Sequence, residues 1–265
     1  MGQTISVKTL ELFLEFEAEL SANLQAHPDV IGLVFVGSAA DHSRFDEWSD
    51  HDFFVITEEG FAESMRQDLS WLPDHDSIVM SPRETAHGLK VVYEDASVLE
   101  FAVFDDHELD QAGANAYNVT LDRSNITERM AAIAERSKPK GYDFDTEFEV
   151  FLGQMLIGIG RARRGETLIA GQFVRSYCLN RALGFIRAWV KPLEGTEPNE
   201  DNLDRFRRFE QQYPELGAEI EAILQQPVEA AGKHLVELVV RVGHGHLTDK
   251  HLSQVHVVRQ RFGWI

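Results

Sequence analysis

The alternation of apolar and polar positions divides the chain into two stretches of different character. From Thr9 to Gln25, Phe13, Phe16, Leu20 and Leu24 recur at helical spacing with Glu11, Glu15 and Glu19 between them. That spacing predicts a helix buried along one stripe. His27-Pro28-Asp29 stops it, because proline has no backbone donor and disfavours helix in the residue before it. Val30 to Ser38, VIGLVFVGS, is a continuous β-branched and aromatic run of strand length, the pattern of a strand covered on both faces. The polar stretch AADHSRFDEWS (39–49) leads to a second apolar strand, Asp52 to Thr57. A short helix over Phe61–Leu72 is expected next, then strands at Asp76–Met80, Leu89–Tyr93 and Ser97–Phe104. Glu94-Asp95 supplies a turn between the last two and predicts a hairpin.

Residues 106–141 show no clean period, and Lys138-Pro139-Lys140-Gly141 reads as a linker. Beyond it the helical period takes over. Phe148, Phe151, Leu152, Met155, Leu156 and Ile159 share one face, and Phe173–Trp189 predicts a second long helix. Shorter helices are expected at Glu200–Gln212, Leu216–Leu224 and Pro227–Val242, with a last one near the C-terminus and Pro192, Pro198, Pro214 and Pro227 as punctuation. The pattern is that of an α/β domain over residues 1–142 followed by a helical bundle over residues 143–265.

Charge follows the same division. Residues 1–142 hold 27 acidic and 10 basic residues, a net of −17, whereas residues 143–265 hold 17 and 15, a net of −2. A surface this acidic excludes non-specific binding to DNA, which needs clustered cations, and disfavours an anionic membrane. The N-terminal segment carries Glu residues inside its apolar pattern, so no secretory leader is expected there, and no apolar run reaches the length of a spanning helix. Cys178 is the single cysteine. An internal disulfide is therefore excluded, and a soluble protein of the reducing cytoplasm is expected.

Three features of the acidic half carry chemistry. Gly37-Ser38 directly follows a buried strand, where glycine lets backbone approach a ligand and free amides can meet a phosphate oxygen; most Gly-Ser pairs of this kind are simple turns. Asp50 and Asp52 in Ser49-Asp50-His51-Asp52 point to one side of an extended chain, since residues i and i+2 share a face. Two adjacent carboxylates repel, and a divalent cation relieves that repulsion; the alternative is a pair of solvated loop-end aspartates. Glu100 stands in the apolar run VLEFAVF (98–104), which reads as a central strand. A buried carboxylate there must be paired or ligate a metal, unless it reaches solvent or a structural arginine at the strand end.

In this order the motifs resemble the nucleotidyltransferase superfamily with the polymerase-β-like fold, and within it the lincosamide and aminoglycoside nucleotidyltransferases. Arg164-Gly165-Glu166 with Ala170, between two long helices, is a second point of likeness, while Ala39-Ala40-Asp41-His42 departs from the basic residue and second glycine usual there. The resemblance implies an α+β protein, with an N-terminal mixed sheet flanked by helices over residues 1–142 and a helical substrate-binding domain over residues 143–265. It implies Mg²⁺ held by Asp50 and Asp52, with Glu100 as general base, third metal ligand or both. It also implies β- and γ-phosphates of ATP, or another nucleoside triphosphate, positioned by Gly37 and Ser38. The reaction implied is transfer of a nucleoside monophosphate, AMP from ATP, to a hydroxyl of a small molecule, with antibiotic resistance as one setting. A protein- or RNA-directed transferase and a non-catalytic nucleotide-binding relative stay open, as does a homodimer.

Other signals are weaker. His244, His246, His251 and His256 fit no common zinc spacing. Arg161, Arg163 and Arg164 suit a helix C-terminus as well as a phosphate. Phe173, Tyr177, Phe185 and Trp189 read as bundle core rather than a substrate platform. Lys90 and Arg44 lie near the expected site in sequence, and neither is assigned to it.

Overall fold

The computed structural model describes residues 9–138, 143–196 and 204–265. The chain divides into two compact units, Met1–Lys138 and Pro139–Ile265. Apart from Lys138, the expected linker lies outside the described residues.

The first unit opens with α1 (Leu10–Ala26), capped by the Thr9 hydroxyl, which accepts from Leu12 N at 3.3 Å. β1 (Val30–Val36) follows, buried along nearly its whole length, and turns directly into α2 (Gly37–Ala40), a single helical turn. After a loop come β2 (His51–Thr57), α3 (Ala62–Gln67), β3 (Ile78–Met80), β4 (Gly88–Tyr93), β5 (Val98–Asp105), β6 (Tyr117–Asp122) and α4 (Ile126–Ser137). The six strands form one mixed sheet in the order β3-β4-β5-β2-β1-β6. Only β2 and β5 run parallel, joined by a crossover that contains α3 and β3–β4. One face of the sheet (Leu33, Phe35, Phe53, Val55, Phe101, Val103) packs on Phe13, Leu20 and Leu24 of α1 and on Ala62 and Met65 of α3. The opposite face (Ile31, Val34, Ile56, Phe104) packs on Leu109 and on Ile126, Met130 and Ile133 of α4.

β6 and α4 occupy the stretch to which the sequence pattern gave no element. β6 is an edge strand whose residues alternate between partly buried and exposed, and the alternation Tyr-Asn-Val-Thr-Leu-Asp is its only local signal. Asp122 then starts α4, accepting from Ile126 N at 2.9 Å, Thr127 N at 3.0 Å and Thr127 Oγ1 at 2.6 Å. These bonds, led by that from the Thr127 hydroxyl, hold its carboxyl below the usual range. The helix expected over Phe61–Leu72 is shorter, and the strand expected from Asp76 begins at Ile78, after a 3₁₀ turn at His75–Ser77.

The second unit is helical: α5 (Phe144–Arg163), α6 (Thr167–Gln172), α7 (Leu179–Trp189), α8 (Phe209–Gln212), α9 (Pro214–Leu224), α10 (Val228–Val242) and α11 (Asp249–Phe262). Its core gathers Phe148, Phe151, Met155, Phe185, Leu235 and Val239. The long helix expected over Phe173–Trp189 is present with a π-helical segment at Phe173–Cys178, and Tyr177, expected in the core, is 41% exposed. Of the helix expected over Glu200–Gln212, residues 200–203 lie outside the described residues. Within the described part, Arg208 at φ 56° starts helix only at Phe209. No described helix is long and apolar enough to cross a membrane.

Candidate active site

One row of residues crosses the sheet where β1 ends and where β2 and β5 begin. Val36 pairs with Asp52, Asp52 with Glu100 across the parallel pair, and Glu100 with Lys90 across the antiparallel pair. Residues opposite one another in register share a face. Asp52, Glu100 and Lys90 therefore stand side by side on the face that further along carries Ile56, Ala102 and Phe104. Asp50, just before β2, joins them: oxygens of Asp50, Asp52 and Glu100 lie within 4.8 Å of one another, and all three side chains are partly exposed.

The donor set fits a hard divalent cation. Magnesium binds oxygens at about 2.0–2.1 Å in an octahedron, so its adjacent ligands sit about 3 Å apart and opposite ones about 4.2 Å. Three carboxylates with oxygens within 4.8 Å of one another stand close to that spacing.

The local sequence braces this cluster. Gly37 adopts φ +60°, and a β-carbon there would lie 2.3 Å from Asp52 Oδ2, so the carboxylate packs against bare backbone. Ser38 Oγ donates to the Asp50 carbonyl at 3.3 Å, tying the α2 turn to the other aspartate. Between the two aspartates, His51 points to the opposite face and is buried. Its Nε2 donates to the Phe13 carbonyl at 3.1 Å, and its ring stacks on Phe13 at 3.8 Å, so α1 anchors the Asp-His-Asp segment. In the loop after α2, His42 Nε2 lies 2.9 Å from the buried Glu17 of α1.

All five residues expected from the sequence, Gly37, Ser38, Asp50, Asp52 and Glu100, meet at this end of the sheet. The expected burial of Glu100 is corrected. β5 is a central strand, but Glu100 is its third residue, 44% exposed, and Lys90 Nζ lies 2.7 Å from its Oε1. Solvent and an ammonium, rather than a buried partner, accommodate the charge. The bond and charge of Glu100, with Glu84 behind it at 3.6 Å, push the Lys90 ammonium above its ordinary value. Lys90 is thus at the site although the sequence reading did not assign it; the signal was one lysine on the polar face of an alternating strand. Arg44 lies in the loop between Ser38 and Asp50, and its Nε is buried without a hydrogen-bond partner among the described residues.

Two members of the helical unit's basic cluster, Arg161 and Arg163, are held in ion pairs at the end of α5. Gly165 at φ +83° ends α5, with Glu166 N donating to the Arg161 carbonyl at 3.0 Å and Gly165 N to Ala162 at 2.9 Å, the paired bonds of a glycine-terminated helix. Arg161 pairs with Glu166 at 2.7 Å, and Arg163 with Glu229 at 2.6 Å. Of the C-terminal histidines, His246 stacks on Trp189 and His251 lies 3.1 Å from Asp145.

No protein-family model matches the sequence, and no curated protein does either. Among solved structures, the chain is similar to an aminoglycoside 6-adenyltransferase from Bacillus subtilis at 12% identity and a TM-score of 0.37, covering 92% of this chain and 97% of that one. It is also similar to a nucleotidyltransferase-like protein from Exiguobacterium sibiricum, at 12% identity and TM-score 0.33 over 92% and 79% of the two chains. A third is a STING-associated CdnE c-di-GMP synthase from Capnocytophaga granulosa, at 12% identity and TM-score 0.31 over 91% and 83%. At these identities and scores the likenesses carry no functional weight of their own. The carboxylate row does.

Proposed function

We propose that the protein is a divalent-metal-dependent nucleotidyltransferase that moves a nucleoside monophosphate, AMP from ATP, onto a hydroxyl of a small molecule. The observation that carries this reading is the convergence of Asp50, Asp52 and Glu100 within 4.8 Å, beside a Gly37-Ser38 turn braced against both aspartates. Asp50, Asp52 and Glu100 would hold Mg²⁺, which when bound would supply positive charge to offset the charge that develops on the phosphates. Gly37 and Ser38 meet the β- and γ-phosphates through their amides and the Ser38 hydroxyl, which gives up its bond to Asp50 to do so. The Arg44 guanidinium is the cation we assign to the triphosphate. Glu100 takes the proton of the acceptor hydroxyl as that oxygen bonds to the α-phosphorus; the bond from phosphorus to the bridging oxygen breaks, and pyrophosphate leaves.

Recognition of the acceptor is assigned to the helical unit, whose net charge of −2 over residues 143–265 sets it apart from the acidic catalytic unit. The net charge of −17 over residues 1–142 favours a cationic acceptor, as an aminoglycoside or the single basic nitrogen of a lincosamide would provide. The test is incubation with Mg²⁺ and ATP labelled at the α-phosphorus, against a panel of aminoglycosides, lincosamides and sugars. A labelled adduct with stoichiometric pyrophosphate is expected; no labelled small molecule across the panel would count against a small acceptor.

A further inference from the structure

Lys90 touches the carboxylate cluster and has a second carboxylate within reach. Its Nζ lies 2.7 Å from Glu100 Oε1 and 3.6 Å from Glu84 Oε2. The two partners differ in place. Glu100 belongs to the cluster on β5, whereas Glu84 is in the loop before β4, 61% exposed, with its backbone N–H fixed to the Gly88 carbonyl at 2.9 Å. The Lys90 side chain is itself 37% exposed and ends in a compact charge with three rotatable donors, so a small torsion exchanges one carboxylate for the other.

An ammonium and a dication cannot both sit against Glu100 without repulsion. We propose that Lys90 is a built-in competitor of the divalent cation: it neutralises Glu100 before metal arrives, passes its ion pair to Glu84 when metal binds, and so sets the cluster's metal affinity. The inference rests on the metal-site reading given under Proposed function. Lys90 is thus a positioning residue that acts through Glu100. It holds that carboxylate in the row with Asp52, and it lowers the cluster's charge enough to keep metal affinity modest until a nucleotide adds its own oxygens.

The experiment measures Mn²⁺ binding without nucleotide, from the spin-resonance signal of free Mn²⁺, for the wild-type protein and for Lys90→Met, Glu84→Gln and Asp52→Asn. Lys90→Met removes the competitor and keeps the aliphatic stem, and its affinity should rise about tenfold, the scale of one unit charge a few ångströms away in a solvated site. Glu84→Gln removes the place to which the lysine retreats, and its affinity should fall several-fold. A purely structural ion pair would shift melting temperature and would not move metal affinity in opposite directions in the two variants. Equal or weaker binding by Lys90→Met, or tighter binding by Glu84→Gln, overturns the proposal while leaving the metal site standing if Asp52→Asn still loses the ion. Wild-type binding that is absent, or unaffected by Asp52→Asn, overturns both. Circular dichroism of each variant checks that it folds, and Lys90→Gln repeats the measurement should Lys90→Met not fold.

Discussion

The Asp52 carboxylate occupies the space that a side chain on Gly37 would fill, with Oδ2 2.3 Å from the position of a β-carbon there. The turn after β1 and the metal-facing strand are therefore built around one contact. Gly37→Ala should lose most transfer activity and also lower stability. A left-handed alanine costs about 1–2 kcal/mol, and Asp52 must move as well. Thermal melting and turnover measured together check this; an alanine variant with full activity would contradict the packing of Asp52 on bare backbone.

Glu100→Gln keeps the shape and removes the charge. Proton transfer of the kind assigned to Glu100 contributes about 10²–10⁴-fold, so turnover should fall within that range at an unchanged melting temperature. Because the side chain is 44% exposed, the loss should appear in catalysis and not in folding.

How much of this site was legible in the sequence depends on the range of the contact. Asp50 and Asp52 sit two residues apart at the start of a strand, so their common direction follows from the strand period alone. The placement of Glu100 opposite Asp52 needs the parallel pairing of β2 with β5 across a long crossover, which no local pattern encodes. The run VLEFAVF forms a central strand, as its apolar character implies, but burial on the Glu100 face fades toward the strand's first residues, where Glu100 lies. Lys90 was passed over for a similar reason: its role exists only through register with Glu100. β6 escaped because an edge strand with one half-covered face and no β-branched run looks like loop. The helical unit was easier, since its apolar stripes are local. Its π-helical segment at Phe173–Cys178 left no mark that spacing could reveal.

Glu63 links α3 to the loop before β4. Its carboxylate accepts from Arg83 at 2.8 Å, Gln67 at 3.0 Å and Arg66 at 3.0 Å. These bonds, Arg83 first, lower its pKa from the ordinary 4.5 to about 2. A carboxyl depressed in the folded state stabilises above its unfolded pKa and loses that contribution as pH falls through the folded value. Glu63→Gln should melt lower than wild type at pH 7, and the gap should close between pH 4.5 and 2. A gap that widened on acidification would contradict the assignment.

Cys178 is fully buried against the Phe151 carbonyl, and burial pushes its thiol up to about 12. A thiol in that state is a poor nucleophile at neutral pH. Native protein should react with a disulfide reagent orders of magnitude more slowly than protein in denaturant, where one thiol per chain should titrate. Rapid reaction of the native chain would mean that the packing around α5 and α7 opens readily.

The most direct test of the account is a comparison of wild-type protein with Asp52→Asn for transfer of the α-phosphorus label from ATP to a hydroxyl acceptor in the presence of Mg²⁺. The predicted result is labelled adduct and pyrophosphate from the wild type, and background levels from a variant with an unchanged circular dichroism spectrum. Equal transfer by the two proteins would contradict the assignment of the chemistry to the row that joins Asp52 and Glu100.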